Sequence, residues 1–244
     1  MKTIILCGGK GQRMNTSEND LPKAMALVKG KPLIYHIMKQ YSKYGFNDFI
    51  LPLGYKGKEI KKYFIEFEMI NSNFTKETFK NSISYHNEND NFKVTLIDTG
   101  VDNLTASRIK QVGKYIDTDN FMVTYGDGLS DVNISELIKF HKEKGKIATV
   151  TGVKKKSQYG SLEVENGIAK TFKEKVAEEQ IINGGFFIFK KEFLEYLDEG
   201  MLEEEPMKKL LEKKELAVFL HEGKWISVDT QKDLITANEV WCNG

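Results

Sequence analysis

Cysteine is almost absent from this chain: Cys7 and Cys242 are the only two in 244 residues. A disulfide framework and a thiolate zinc site are therefore both excluded, and a reducing compartment is the simplest setting, so a cytoplasmic location is expected. Long apolar runs are missing as well. None approaches the ~18 residues of a membrane span, and the apolar stretch after Met1-Lys2 is too short for the core of a secretory signal. No membrane partner is expected. Nor is there an excess of either charge, since Lys and Arg total 36, Asp and Glu 35, and the formal net charge is +1. Binding a nucleic-acid backbone calls for a basic excess or a basic stripe. No nucleic-acid partner is expected, although a local basic pocket for phosphates stays open.

What is present reads as alternating strands and helices. Thr3–Cys7 is a short apolar run that stops at Gly8-Gly9, the pattern of a buried parallel strand feeding a loop. Pro32–Tyr44 carries Leu33, Ile34, Ile37, Met38 and Tyr41 at helical spacing. Phe49–Leu53 predicts a second strand and Gly57–Phe67 a second helix. Further on, strands are expected at Val94–Asp98, Phe121–Tyr125, Lys146–Gly152, Ser161–Glu165, Gly185–Phe189 and Ala217–Leu220. Helices are expected at Ala106–Tyr115, Ser135–Glu143, Lys191–Leu197, Pro206–Lys213 and Thr230–Trp241. This order predicts an α/β fold, a Rossmann-like and mostly parallel sheet with helices on both faces. Residues 68–93 are polar, Asn-rich and aperiodic apart from a short candidate strand at Asn81–His86, and read as an insertion with hairpin character. With no internal repeat and no low-complexity linker, one domain over 1–244 is expected, carrying that insertion and a decorated half from about 151.

Three segments carry candidate chemistry. In the first, Leu6-Cys7-Gly8-Gly9-Lys10-Gly11-Gln12-Arg13 directly follows the first strand. Glycines let backbone approach a ligand, exposed N–H groups can cradle phosphate oxygens, and Arg13 adds a planar donor fork. Lys23, after Pro22, is a second cation nearby. The bland alternative is a glycine-containing strand-to-helix turn with solvated cations. The P-loop pattern is absent, and the dinucleotide fingerprint fits poorly because the first helix starts only near Pro32. In the second segment, Phe121–Tyr125 ends in Gly126-Asp127-Gly128, a carboxylate at the carboxyl end of a strand, where open α/β sheets bind ligands. Mg2+ takes one or two carboxylates together with phosphate oxygens, and Asp229 is the candidate second acid. Taken alone, Asp229 reads first as an N-cap of the last helix. The third segment is Phe172-Lys173-Glu174-Lys175, ahead of Asn183-Gly184-Gly185, and as bare sequence it reads as a solvated charge run.

The combination of Gly-Gly-x-Gly-x-Arg-Met, Pro22-Lys23-Ala24-Met25 and Gly30-Lys31-Pro32-Leu33 resembles the sugar-phosphate nucleotidyltransferase family. The resemblance implies that Leu6, Gly8, Gly9, Gly11, Gln12, Arg13, Lys23 and Gly126 bind a nucleoside triphosphate, with Arg13, Lys23 and Asp127 serving catalysis. It implies that Asp127 and Asp229 hold Mg2+, and that Tyr125, Glu174, Lys175 and Asn183 hold the acceptor. Gln12 stands where the family usually has Thr or Ser, and Val176 where it usually has Pro. The likeness is closest to the cytidylyltransferase branch, on Gly54-Tyr55-Lys56-Gly57, Val94-Thr95-Leu96-Ile97-Asp98-Thr99-Gly100 and Thr124–Gly128, and on the placing of the 68–93 insertion. There Thr105 and Arg108 would help to read the nucleotide, with Ala106 and Ser107 replacing two glycines of the branch.

The implied reaction is in-line attack of an acceptor phosphate on the α-phosphorus of CTP, releasing pyrophosphate. An acceptor phosphate is already ionised, so orientation and charge neutralisation suffice and no general base is required. His36, His86, His141 and His221 are accordingly expected to be structural. Glucose 1-phosphate is the default acceptor. A different sugar, a polyol phosphate or a phosphorylated amino acid is the alternative. A silent nucleotide sensor is a reading of another class, disfavoured by the retained set of cations and acids. Resemblance also implies a homo-oligomer with the 68–93 insertion near a subunit boundary.

Overall fold

The computed structural model describes residues 1–9, 21–80, 82–85, 90–156, 161–165, 168–173 and 179–241. The first apolar run forms β1 (Thr3–Leu6), buried at all four positions. Next come the short pair β2 (Leu27–Val28) and β3 (Lys31–Pro32), then α1 (Leu33–Ser42), β4 (Asp48–Leu53), α2 (Gly57–Ile65) and α3 (Phe67–Asn71). The polar segment contributes β5 (Phe74–Glu77) and β6 (Ser82–Tyr85), paired as an antiparallel hairpin. Then follow β7 (Lys93–Asp98), α4 (Thr105–Val112), β8 (Asn120–Tyr125), β9 (Gly128–Ser130), α5 (Ile134–Lys144) and β10 (Ala148–Lys156). The last third holds β11 (Ser161–Glu165), β12 (Ile168–Lys173), β13 (Glu179–Lys190), α6 (Glu205–Glu212), β14 (Leu216–His221), β15 (Trp225–Ser227) and α7 (Gln231–Val240).

Seven strands form the central sheet in the order β14-β10-β13-β8-β1-β4-β7. β1 runs parallel to both β4 and β8, β4 to β7, and β10 to β14, whereas β13 is antiparallel to β8 and β10. The mostly parallel Rossmann-like sheet expected from the sequence is what the chain forms. Both faces are apolar because successive side chains point to opposite sides of a strand. Ile5, Met122, Phe186 and Ile188 pack into a core with Ile34, Ile37 and Met38 of α1 and Ile60 of α2. Their neighbours Ile4, Leu6, Val123, Phe187 and Phe189 pack into a second core with Ala106, Ile109 and Val112 of α4.

Two expectations change. Lys191–Leu197 is not an α-helix but a 3-10 helix over Lys191–Tyr196. Side chains three apart eclipse in that geometry, and Phe193 and Tyr196 stack at 6.2 Å while Phe193 lies 4.0 Å from Phe189. The strands β10 and β13 also run well beyond Lys146–Gly152 and Gly185–Phe189, into charged sequence that hides their period. Lys154 and Lys155 pair in register with Ile181 and Gln180 of β13, so cross-strand bonding, not an apolar pattern, extends them.

His141 ties α5 to the sheet: its Nδ1 lies 2.8 Å from Thr149 Oγ1 and its Nε2 3.2 Å from Asn120 Oδ1. Burial, and then the Lys190 charge, lower its pKa to about 4. The unfolded chain takes up a proton here near pH ~6.5, whereas the folded chain does not. Stability contributed by this group is therefore lost as pH falls from ~6.5 towards ~4 and changes no further below that. The urea midpoint should drop across this window, and drop less in His141→Asn; identical pH slopes for the two proteins would refute the assignment.

Candidate active site at the switch point of the sheet

β1 leads to β4 and β7 on one side and is flanked by β8 on the other, so the strand order reverses between β1 and β8. In open α/β sheets ligands bind outside the carboxyl ends of the strands at such a point. Leu6 and Tyr125, the last residues of these two strands, are register partners, and Gly126 N donates to Leu6 O at 2.9 Å. The glycines after β1 and the acid after β8 thereby meet at one edge. Here a cavity of approximately 770 Å³ opens, lined by Leu6, Gly8, Gly9, Lys23, Asp127 and Asp229 among others.

Asp127 and Asp229 are far apart in sequence and are joined by a short ladder. β9 pairs antiparallel with β15, setting Gly128 opposite Ser227, and Val228 N donates to Asp127 O at 2.9 Å. Lys23 Nζ then donates to Asp127 Oδ2 at 2.7 Å and to Asp229 Oδ1 at 2.6 Å. Ser227 Oγ donates to Asp229 Oδ2 at 2.8 Å. The N-cap reading of Asp229 does not hold. Thr230 caps α7, its hydroxyl accepting from Asp233 N and the Asp233 carboxylate accepting from Thr230 N, a complete capping box. That arrangement leaves the Asp229 carboxylate to face the cavity. Among the described residues these three groups, two carboxylates and one ammonium, sum to one negative charge, a field that favours a divalent cation. Among the described residues no group of three or more His, Cys, Asp or Glu could cage a metal by itself. Two acids with room for phosphate oxygens suit Mg2+, which takes one or two carboxylates and keeps other ligands.

Arg108 is 3% exposed and works through the backbone. Its Nη1 donates to Leu53 O at 3.0 Å and Thr99 Oγ1 at 2.7 Å, and its Nη2 donates to Gly8 O at 3.1 Å and Val101 O at 3.2 Å. Among the described residues no carboxylate lies within ion-pair distance of it. Burial pulls its pKa down, but a guanidinium stays charged. It clamps the glycine turn to the end of β4 and sets an unpaired positive charge beneath it. Gly54 must be glycine for this: an added Cβ would lie 2.5 Å from Gly8 O and 2.6 Å from both terminal nitrogens of Arg108. Ala106 and Ser107 face away from the cavity, Ala106 N donating to Gly200 O at 3.1 Å and Ser107 Oγ to Glu199 Oε2 at 2.8 Å. Cys7 offers no nucleophile, since burial raises its thiol pKa to about 12.

The cavity lining also includes Tyr125, Asn183, Gly184, Gly185 and Trp225. Asn183 Oδ1 accepts from Gly185 N at 2.8 Å, and Trp225 Nε1 donates to Gly184 O at 2.8 Å. Gly185 has φ +79°, and a Cβ there would meet the Tyr125 ring at 2.5 Å. Asn183 Nδ2 donates to Tyr125 Oη at 3.4 Å, and Tyr125 donates to Glu203. Burial, then the Glu203 charge, push the Tyr125 hydroxyl far above its ordinary range, so it remains a donor.

Of the sequence-derived candidates, Leu6, Gly8, Gly9, Lys23, Thr105, Arg108, Tyr125, Gly126, Asp127, Asn183 and Asp229 all line this one cavity. Gly11, Gln12, Arg13, Glu174 and Lys175 lie outside the described residues. The sequence reading missed Glu203, Trp225 and Ser227. Glu203 sits in Glu203-Glu204-Glu205-Pro206, where a charge run before a helix gives no signal. Gly54 was noticed only as part of a motif, although a glycine closing β4 beside the one closing β1 hints at close backbone approach.

The family model for nucleotidyl transferases matches residues 2–243. The chain is 47% identical over 247 residues to a probable glucose-1-phosphate cytidylyltransferase of Bacillus subtilis (strain 168), spanning 100% of this chain and 97% of the relative. It is 37% identical over 249 residues to a glucose-1-phosphate cytidylyltransferase of Salmonella typhi, with the same spans. The crystal structure of HddC from Yersinia pseudotuberculosis superimposes with a TM-score of 0.71 at 25% identity over 98% of each chain.

The Arg108 clamp can be tested without any ligand. Gly54→Ala should lower unfolding free energy by about 1–3 kcal/mol in urea. It should also speed hydrogen exchange at the Tyr55 amide, which donates to Gly8 O at 3.1 Å. Unchanged stability and amide protection would show that the clamp is not tight.

Proposed function

Because this chain belongs to the nucleotidyl transferase family, and is a nucleotidyltransferase, we propose that it transfers the cytidylyl group of CTP to glucose 1-phosphate, giving CDP-glucose and pyrophosphate. The observation that carries this reading is the meeting of Asp127 and Asp229 around Lys23 beside the Gly8-Gly9 turn. The names of the full-length relatives support the choice of CTP and glucose 1-phosphate.

In this mechanism the backbone at Gly8 and Gly9 approaches the triphosphate, and the buried Arg108 charge beneath the turn favours its anionic oxygens. A phosphate oxygen of the acceptor attacks the α-phosphorus. A new P–O–P linkage forms, the α–β anhydride bond breaks, and the electron pair leaves with pyrophosphate. Asp127 and Asp229 would hold Mg2+, which supplies charge neutralisation for the phosphoryl groups. Lys23, released from the two acids, adds its ammonium to the same task. Tyr125 and Asn183 orient the acceptor, Glu174 takes its hydroxyls, Lys175 binds its phosphate, and Arg13 binds the triphosphate. No proton need be removed, which accords with the histidines: among the described residues none lines the cavity.

On this reading the protein acts in the cytoplasm. No described helix is long and apolar enough to cross a membrane. It assembles as a homo-oligomer through the segment around the β5–β6 hairpin, where Ile65 is 82% and Phe79 81% exposed. Exposed apolar groups in one stretch of chain suit a protein contact.

Asp127→Asn should abolish pyrophosphate release from CTP and glucose 1-phosphate while keeping the native circular dichroism spectrum; undiminished turnover would overturn the metal assignment. Wild-type release with CTP and another phosphorylated acceptor, and none with glucose 1-phosphate, would replace the acceptor. Phe79→Ser should lower the mass seen by light scattering if the hairpin is a subunit contact, and an unchanged mass would exclude it.

A further inference from the structure

Glu203 is a carboxylate of the cavity lining apart from Asp127 and Asp229. Glu203 lies in the turn that precedes α6, and that turn is fixed to the start of α4. Leu202 N donates to Thr105 Oγ1 at 2.7 Å, Ala106 N to Gly200 O at 3.1 Å and Ser107 Oγ to Glu199 Oε2 at 2.8 Å, while the Leu202 side chain is 0% exposed. Glu203 is thereby presented to the cavity on a rigid support. Its Oε1 accepts from the Tyr125 hydroxyl, and its Oε2 accepts from Thr105 Oγ1 at 3.3 Å. Among the described residues both partners are hydroxyls and no cation lies within ion-pair distance. The carboxylate thus stands in the cavity wall with hydroxyl partners and no described counter-ion.

A carboxylate has about four lone-pair sites and no donor. Two are taken by Tyr125 and Thr105, which leaves capacity for hydroxyl donors of a ligand. Tyr125 also links it to Asn183, so acceptor oxygens, a phenol and an amide form one continuous polar wall. That wall matches the closely spaced hydroxyls of a sugar ring. It opposes an acceptor with a second negative charge away from its phosphate by like-charge repulsion, which salt weakens because Glu203 is exposed.

We propose that Glu203 determines acceptor specificity, taking hydrogen bonds from the ring hydroxyls of a neutral hexose 1-phosphate and rejecting phosphate monoesters that carry a further anionic group. The inference rests on the nucleotidyl-transfer reading above and names what that site selects for.

The test is steady-state pyrophosphate release at saturating CTP for the wild type, Glu203→Gln and Glu203→Asp. The acceptors are glucose 1-phosphate, its singly deoxygenated analogues and glucuronic acid 1-phosphate. Glu203→Gln should lower kcat/KM for glucose 1-phosphate by about 10- to 100-fold, the worth of hydrogen bonds to a charged group. It should leave the KM for CTP within about twofold. For at least one deoxygenated analogue the wild-type penalty should shrink in the variant, since the bond to that hydroxyl is already lost. The bias against glucuronic acid 1-phosphate should narrow, and Glu203→Asp, which keeps the charge, should retain that bias. A purely structural role would move none of these ratios. The inference fails if Glu203→Gln leaves the acceptor ratios unchanged, or if it alters only the KM for CTP. Absence of wild-type turnover with CTP and glucose 1-phosphate would instead overturn the parent reading, so the two failures are distinct.

Discussion

The ammonium of Lys23, shared between the carboxylates of Asp127 and Asp229, is the interaction around which the rest of the site is arranged. Two acids held this close in a partly buried place repel each other unless a cation stands between them. The fold supplies that cation from a third segment, just before the first helix. The three groups together keep one negative charge in excess, and a divalent ion arriving with an anionic nucleotide is the natural complement. Lys23 is both the internal counter-ion and a charge available to the phosphates.

That convergence depends on unglamorous local structure. The β9–β15 ladder brings the residues after β8 alongside those before α7. The Thr230–Asp233 capping box satisfies the start of α7 and so spares Asp229 from doing it. Arg108 fastens the glycine turn after β1 to the end of β4 by donating to three backbone carbonyls and one hydroxyl. Each device satisfies backbone groups that would otherwise be unpaired, and each has the further effect of fixing where a charge lies. The cavity wall consequently includes the glycine backbone after β1, the Asp127–Lys23–Asp229 cluster and the hydroxyl-bonded carboxylate of Glu203.

Much of this was legible from the sequence. Thr3–Cys7 and Phe121–Tyr125 are short apolar runs closed by glycine, the pattern of a strand buried on both faces, so their place inside the sheet could be read from composition. The amphipathic spacing of Leu33–Tyr41 likewise announced α1. The β10–β13 extension was hidden because its lysines and glutamates obey pairing across strands rather than an apolar period. The turn at Lys191–Tyr196 was hidden because helical spacing does not distinguish an α-helix from a 3-10 helix set by aromatic stacking.

The sequence by itself determined the sheet, the family and the residues competent to bind phosphate or metal, because these follow from local composition and spacing. Tertiary structure alone decided which competent residues meet. Asp229 could have capped its helix, and Arg108 could have paired with an acid or faced a ligand directly. Glu203 carried no local mark at all. Their roles depend on contacts between segments about a hundred residues apart, and no short-range pattern records those distances.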